Sequence, residues 1–266
     1  MGNATMIYGI LYLWYILALG SLIFLIYDFV TNTPATGVMK LAWVLVVLYT
    51  GPVGLFIYLL SCRQPLPGTH DEFIKPHWKQ TVGSILHCLS GDVTGIIIGA
   101  IIVSFFVIAN GIDLIVEYIA GFTCGLLIFQ SVFMLPMLGG NYLNAVRKTF
   151  FAEFVSMNML MVGMFPTMLV LKYFLPPGRE PSSIVFWGVM SAASIVGALT
   201  AYPINSWMVR RGIKHGMISA GATHAMPAMD HTKPLSFTTQ FTIGIGTFLL
   251  MIVAIYITSL FVPVRF

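Results

Sequence analysis

Long apolar runs separated by short polar breaks dominate this chain. Seven of them, at roughly 7–30, 38–61, 83–109, 112–135, 150–175, 183–209 and 237–262, are long enough to cross a bilayer as helices, which takes about 20 residues. The breaks hold residues that stop helices. Residues 32–34 end in Pro34, 63–67 carry Arg63 and two prolines, and Asn110-Gly111 makes a tight turn. Gly139-Gly140-Asn141 precedes the fifth run, Pro176-Pro177-Gly178 stops it, and Arg210-Arg211-Gly212 stops the sixth. The pattern predicts an all-α, polytopic membrane protein, a bundle of about seven transmembrane helices forming one integral membrane domain over residues 1–266.

Composition agrees. Of 266 residues, 58% are hydrophobic and 8% charged, against about 25% charged in soluble domains; mean hydropathy is +0.91. The net charge of +4 is too small, and too confined to short loops, for nucleic-acid binding. It fits the lysine and arginine bias that orients membrane proteins. Loops 62–82, 136–149 and 210–236 hold Arg63, Lys75, Lys79, Arg147, Lys148, Arg210, Arg211, Lys214 and Lys233. The opposite side of a seven-span chain holds Lys40, Lys172, Arg179 and Arg265. The expectation is a cytoplasmic-membrane protein with its N-terminus inside and its C-terminus outside. The first run lacks a basic flank and a small-residue cleavage site, so it reads as a retained span. Cys62, Cys88 and Cys124 form no C-x-x-C pair and indicate no disulfide framework.

Candidate chemistry concentrates in two runs. In the fifth, Glu153, Met157, Met161, Met164 and Met168 fall within about 80° of helix surface, a carboxylate at the foot of a thioether ladder. A carboxylate in hydrocarbon marks a functional site by default, and thioethers suit Cu(I), although methionine is also a common gap-filler in apolar packing. In the third run, Cys88, Asp92, Gly95 and Gly99 share a face, with His87, Gly91 and Thr94 beside it. His87, Cys88 and Asp92 are competent metal ligands; the same residues could instead form interhelical hydrogen bonds. Counted from the run boundaries, His87 and Glu153 lie about one turn in, and Asp92 about 14 Å in. Glu117 enters from the outer side. A series Glu117, Asp92, Glu153 would suit an ion or proton relay.

Two further features bear on function. His215, Met217, His224, Met226, Met229 and His231 alternate imidazole and thioether in one loop, a plausible segment for capturing a soft metal. Small-xxx-small pairs in the sixth run (Gly188 and Ala192, Gly197 and Ala201) permit close helix packing. No H-E-x-x-H, Walker A or G-x-S-x-G motif supports a hydrolase or ATPase.

Three segments resemble a bacterial and archaeal membrane family, the one described as domain of unknown function 4396. They are His87-Cys88-x-x-Gly91; Glu153-x-x-Ser156-Met157-Asn158 with Gly163-Met164; and Tyr202-Pro203-x-Asn205-x-Trp207 followed by Gly212-x-Lys214-His215-Gly216-Met217. The resemblance runs from about Trp78 to Met217, and the last segment is its most specific part. It implies a multi-pass membrane protein and supplies no reaction. Where the family pattern often has a second cysteine, this chain has Asp92, which favours a carboxylate site over a thiolate-rich one.

The residues together point to a transporter or metal-handling protein, with copper as the candidate ion and no catalytic residues. Two other readings stay open. One is a non-catalytic membrane subunit or scaffold that meets membrane partners or its own copies through small-residue and methionine-rich faces. The other is a redox protein with a metal or haem on His87.

Overall fold

The computed structural model describes residues 2–106, 109–135, 140–217 and 235–264. Their regular structure is helical: α1 (Gly2–Thr31), α2 (Gly37–Ser61), α3 (His70–Ile74), α4 (His77–Val103) and α5 (Asn110–Thr123). The last of these continues through a π-helical segment, Cys124–Gln130, into α6 (Ser131–Met134). Then follow α7 (Tyr142–Phe174), a 3-10 turn at Pro176–Arg179, α8 (Ile184–Arg210) and α9 (Phe237–Ser259). Seven helical segments, with α5, the π segment and α6 counted as one, are long and apolar enough to cross a membrane.

The polar breaks act as caps. Thr36, Asn141, Ser183 and Ser236 each accept a hydrogen bond from a backbone N–H in the first turn of α2, α7, α8 and α9, satisfying donors that a helix start leaves free. The cap at Asn141 starts α7 at Tyr142 rather than near 150, because its first two turns are helical without being apolar. Glu153 therefore lies about 16 Å into its helix, not one turn in.

Helix α4 is the axis of the bundle. In its most apolar stretch 78% of residues are buried, against 17% in α1 and 22% in α9. It packs on α2, α5, α7 and α8. Its small residues permit this: the face carrying Gly91, Gly95 and Gly99 lies directly on the backbone of α5 and the π segment. The thioether ladder of α7 faces inward, with Met157, Met161, Met164 and Met168 fully buried in the core beside Ile96, Phe186 and Met190. The small residues of α8 are also used internally, since Gly188 meets Leu11 of α1 and Gly197 meets Leu160 of α7. The faces expected to serve partners are thus occupied within the chain.

Helix α2 is not one rod. Gly51 breaks it with φ 56° and ψ −133°, a left-handed conformation that glycine tolerates, and Pro52 follows without an N–H to rejoin the ladder. The legs, 37–50 and 52–61, fold back on one another. Lys40 Nζ donates to Phe29 O at 2.7 Å while Arg63 Nε donates to Asp28 Oδ1 at 2.9 Å. A continuous helix would hold residues 40 and 63 about 34 Å apart. The Trp43 and Tyr58 rings, 15 positions apart in sequence, sit 5.3 Å from centroid to centroid.

Gly51→Ala should lower unfolding stability in detergent by about 1–3 kcal/mol, since alanine is strained at this φ and its Cβ would sit 3.2 Å from the Ala18 Cβ. A thermal unfolding midpoint unchanged from wild type would show that the elbow does not need glycine.

Candidate functional site

The centre of the bundle gathers a thiol, two carboxylates and an ammonium. Cys88 and Asp92, one turn apart on α4, face Glu153 of α7. One ligand atom from each lies within 4.8 Å of the other two, and all three residues are buried. The Cys88 thiol donates to Glu153 Oε2 at 2.9 Å. Neither oxygen of Asp92, nor Glu153 Oε1, receives a hydrogen bond from another kind of group, but the two carboxyl groups lie close enough to hydrogen-bond to each other when one carries a proton.

The fourth member comes from beyond α8. At the helix end the N–H of Gly212 bonds to Val209 O at 3.0 Å and that of Ile213 to Met208 O at 2.9 Å. With Gly212 at φ 63°, this is a Schellman cap, which reverses the chain. The reversal turns Lys214 into the bundle, where it is 3% exposed. Its ammonium donates to Asn205 Oδ1 at 3.2 Å, meets Cys88 Sγ, and lies 3.6 Å from Glu153 Oε2. Burial alone would lower its pKa, but the Cys88 sulfur and the Glu153 carboxylate beside it outweigh that and hold it above the ordinary lysine value.

Asn205 orients this cation. Its Oδ1 also accepts from Ser84 at 3.0 Å and from Ser156 at 3.1 Å, and its amide donates to Ala201 O at 2.9 Å. Serines on α4 and α7 thus fix an amide on α8 that fixes the lysine. Residues 214–217 then run along the start of α4, with Met217 against Gly83 and Gly216 against Gln80.

The π segment closes the opposite wall. A π-helical turn inside an α-helix is frequent at functional sites, and this one sets Gly125 over the carboxylates. A Cβ there would overlap Asp92 Oδ1 and come within 2.7 Å of Glu153 Oε1. Met157 borders the cluster: both its Cε and the Asp92 carbonyl approach Gly121, at 2.9 and 3.0 Å from where a Cβ would stand.

Several expected members stand elsewhere. His87, next to Cys88 on α4, turns its ring onto Phe133, 3.8 Å between centroids. Neither ring nitrogen makes a hydrogen bond of ordinary geometry, although the Gly216 backbone lies near enough for a weak polar contact. Glu117 pairs with Lys172 at 3.2 Å and lies level with Gly99, about 10 Å along α4 from Asp92. The relay expected over three depths reduces to two carboxylates side by side. His215 is half-buried, and burial lowers its pKa. His224, Met226, Met229 and His231 lie outside the described residues. Lys214 and Asn205 were legible only as part of the family-like segment, because a lysine four residues past a helix end reads as an ordinary loop charge.

The family model described as domain of unknown function (DUF4396) matches residues 77–214, from the first residue of α4 to the buried lysine. No curated protein and no solved structure matches the chain.

Gly125→Ala should destabilise the protein by about 1–3 kcal/mol through overpacking against Asp92. Gly20→Ala, where nothing lies within 4 Å of the new methyl, should be neutral or stabilising by up to about 1 kcal/mol. Equal unfolding midpoints for the two variants would contradict the close approach of the π segment.

Proposed function

The chain belongs to the family described as domain of unknown function 4396, and we propose that it is an integral membrane protein that binds and exchanges a soft cation, copper being the candidate, at Cys88, Asp92 and Glu153. One observation carries the reading: three ligand atoms of metal-binding type converge in the buried centre of the bundle, where three carboxylate oxygens have no donor other than a proton shared between the two acids. Unpaired carboxylate oxygens in hydrocarbon are costly, and a cation would relieve them. The donor set fits one. Atoms on a single tetrahedral centre are about 3.5 Å apart, so the site needs only modest closure. The thiol supplies softness, with the Met157 thioether at its edge.

Lys214 gives the exchange its logic. An ammonium has three donors and no lone pair, so it competes with a metal ion for the same oxygens and sulfur. It neutralises the cluster in the metal-free state and must withdraw when an ion arrives. The segment 211–217, which lies outside the helices, is the part that would have to shift. The lysines and arginines of the loops at this end of the bundle support a cytoplasmic position for it. Exchange would then open inward, towards the His/Met loop that follows.

The same lysine favours a second reading. With one built-in positive charge, Asp92 and Glu153 could share protons and serve as an intramembrane proton-exchange pair without metal.

Cu(I) titration of the purified protein under reducing conditions, against a competing chelator, separates the two. Wild type should bind about one ion. The Asp92→Asn, Glu153→Gln double variant should lose at least about tenfold in affinity, and Lys214→Met should gain about tenfold, while deletion of 224–231 should leave the intramembrane site intact. Absence of binding in both wild type and Lys214→Met would remove the metal reading and leave the proton pair.

A further inference from the structure

We infer that residues 37–61 enter and leave the bilayer on the same face, so that the chain crosses six times and the start of α1 lies on the same side as the end of α9. By length and hydropathy α2 qualifies as a span. Its fold-back at Gly51 changes what it can do. The legs hold 14 and 10 residues, about 21 and 15 Å of helix, each short of the roughly 30 Å hydrocarbon core.

The elbow lies at mid-depth. Gly51 touches Trp14 and Ala18, near the middle of α1, and Tyr49 shares a 2.7 Å hydrogen bond with Thr94 of α4. Broken backbone at this depth is tolerated only where protein covers it. Trp14 and Ala18 supply that cover, and the Thr50 hydroxyl returns a bond to Val46 O at 2.6 Å.

Both feet of the hairpin meet the end of α1. Asp28 accepts from Tyr58, from Thr33 at 2.7 Å and from Arg63 at 2.9 Å. Asn32 donates to Gln64 O at 2.9 Å, and Lys40 reaches Phe29 O. One polar clasp thus ties residues 28–33, 40 and 58–64 together, with the Arg63 side chain 45% exposed. Were α2 to cross, Lys40 and Arg63 would lie at opposite surfaces.

A pocket of about 560 Å³ lies beside the elbow, between Leu48 and Tyr49, the stretch of α1 from Tyr15 to Leu22, and Ile184 and Trp187 of α8.

Charge agrees as well. Lys40 now joins the basic loops, and only Lys172, Arg179 and Arg265 remain on the far side in sequence. The lysine and arginine bias sharpens in the direction the positive-inside rule requires. The start of α1 is then outside, not inside as a seven-span count implies.

Single-cysteine labelling with a membrane-impermeant maleimide tests this in intact cells and inverted vesicles. Pro34→Cys and Leu66→Cys lie in the two loops at the feet of the hairpin and are exposed; the native Cys62, Cys88 and Cys124 are buried. Both positions should label in inverted vesicles and neither in intact cells. Epitope tags fused before α1 and after α9, which leave the interior untouched, should both be detected on intact cells. Labelling of Pro34→Cys and Leu66→Cys from opposite faces, or tags on opposite faces, would overturn the hairpin topology. These readouts do not depend on whether the central cluster binds an ion.

Discussion

A charge placed in hydrocarbon has to find a partner, and the interior of this protein is arranged around that requirement. Glu153 and Asp92 sit where neither can reach water, and an uncompensated charge at such a place costs several kcal/mol. The partner is Lys214, delivered by a helix cap at Gly212 and held by Asn205. Everything that lets these groups converge is a matter of backbone proximity. Small residues on α4 bring α5 and the π segment close, Gly125 lets that segment pass over Asp92, and glycines at 83 and 216 let the lysine-bearing strand lie against α4.

Compensation at the centre is incomplete, and the proposed function rests on that. One ammonium faces a thiol and two carboxylates, and several oxygens have no donor other than a proton shared between the two acids. A purely structural ion pair gains nothing from surplus acceptors buried in this way. An exchangeable cation, or a shared proton, makes use of them. The contrast with Asp28 is instructive. That carboxylate lies at the edge of the bundle, where Tyr58, Thr33, Asn32 and Arg63 satisfy it fully. It serves as a clasp for the hairpin. Asp28 thus differs from the pair Asp92 and Glu153: it has a full set of donors, whereas the pair has only Cys88, Lys214 and each other.

The methionine ladder shows how one pattern can hold two outcomes. Its helical spacing placed Met157, Met161, Met164 and Met168 on a single buried face, and that face is buried. All four pack into the apolar core, and Met157 among them also reaches Gly121, on the wall of the polar cluster. Spacing along a helix specifies which side chains share a face but not what that face meets.

Sequence by itself determined the class of object: an all-helical membrane protein, the polar breaks between its apolar runs, and the candidacy of Cys88, Asp92 and Glu153. These are local or compositional properties, set by hydropathy over some 20 residues or by one residue's backbone preference. Tertiary structure alone decided that Asp92 and Glu153 lie side by side, because their relative level is set by how α7 packs along α4 and not by counting from where either apolar run begins. It alone turned Lys214 inward and His87 aside, since a rotation of one residue along α4 separates the cluster from Phe133. And it alone revealed the fold-back of α2, for the run 38–61 reads as a single span until the contacts of its two feet are known. Hydropathy registers how apolar a segment is, whereas the direction in which it leaves the membrane is set by long-range packing.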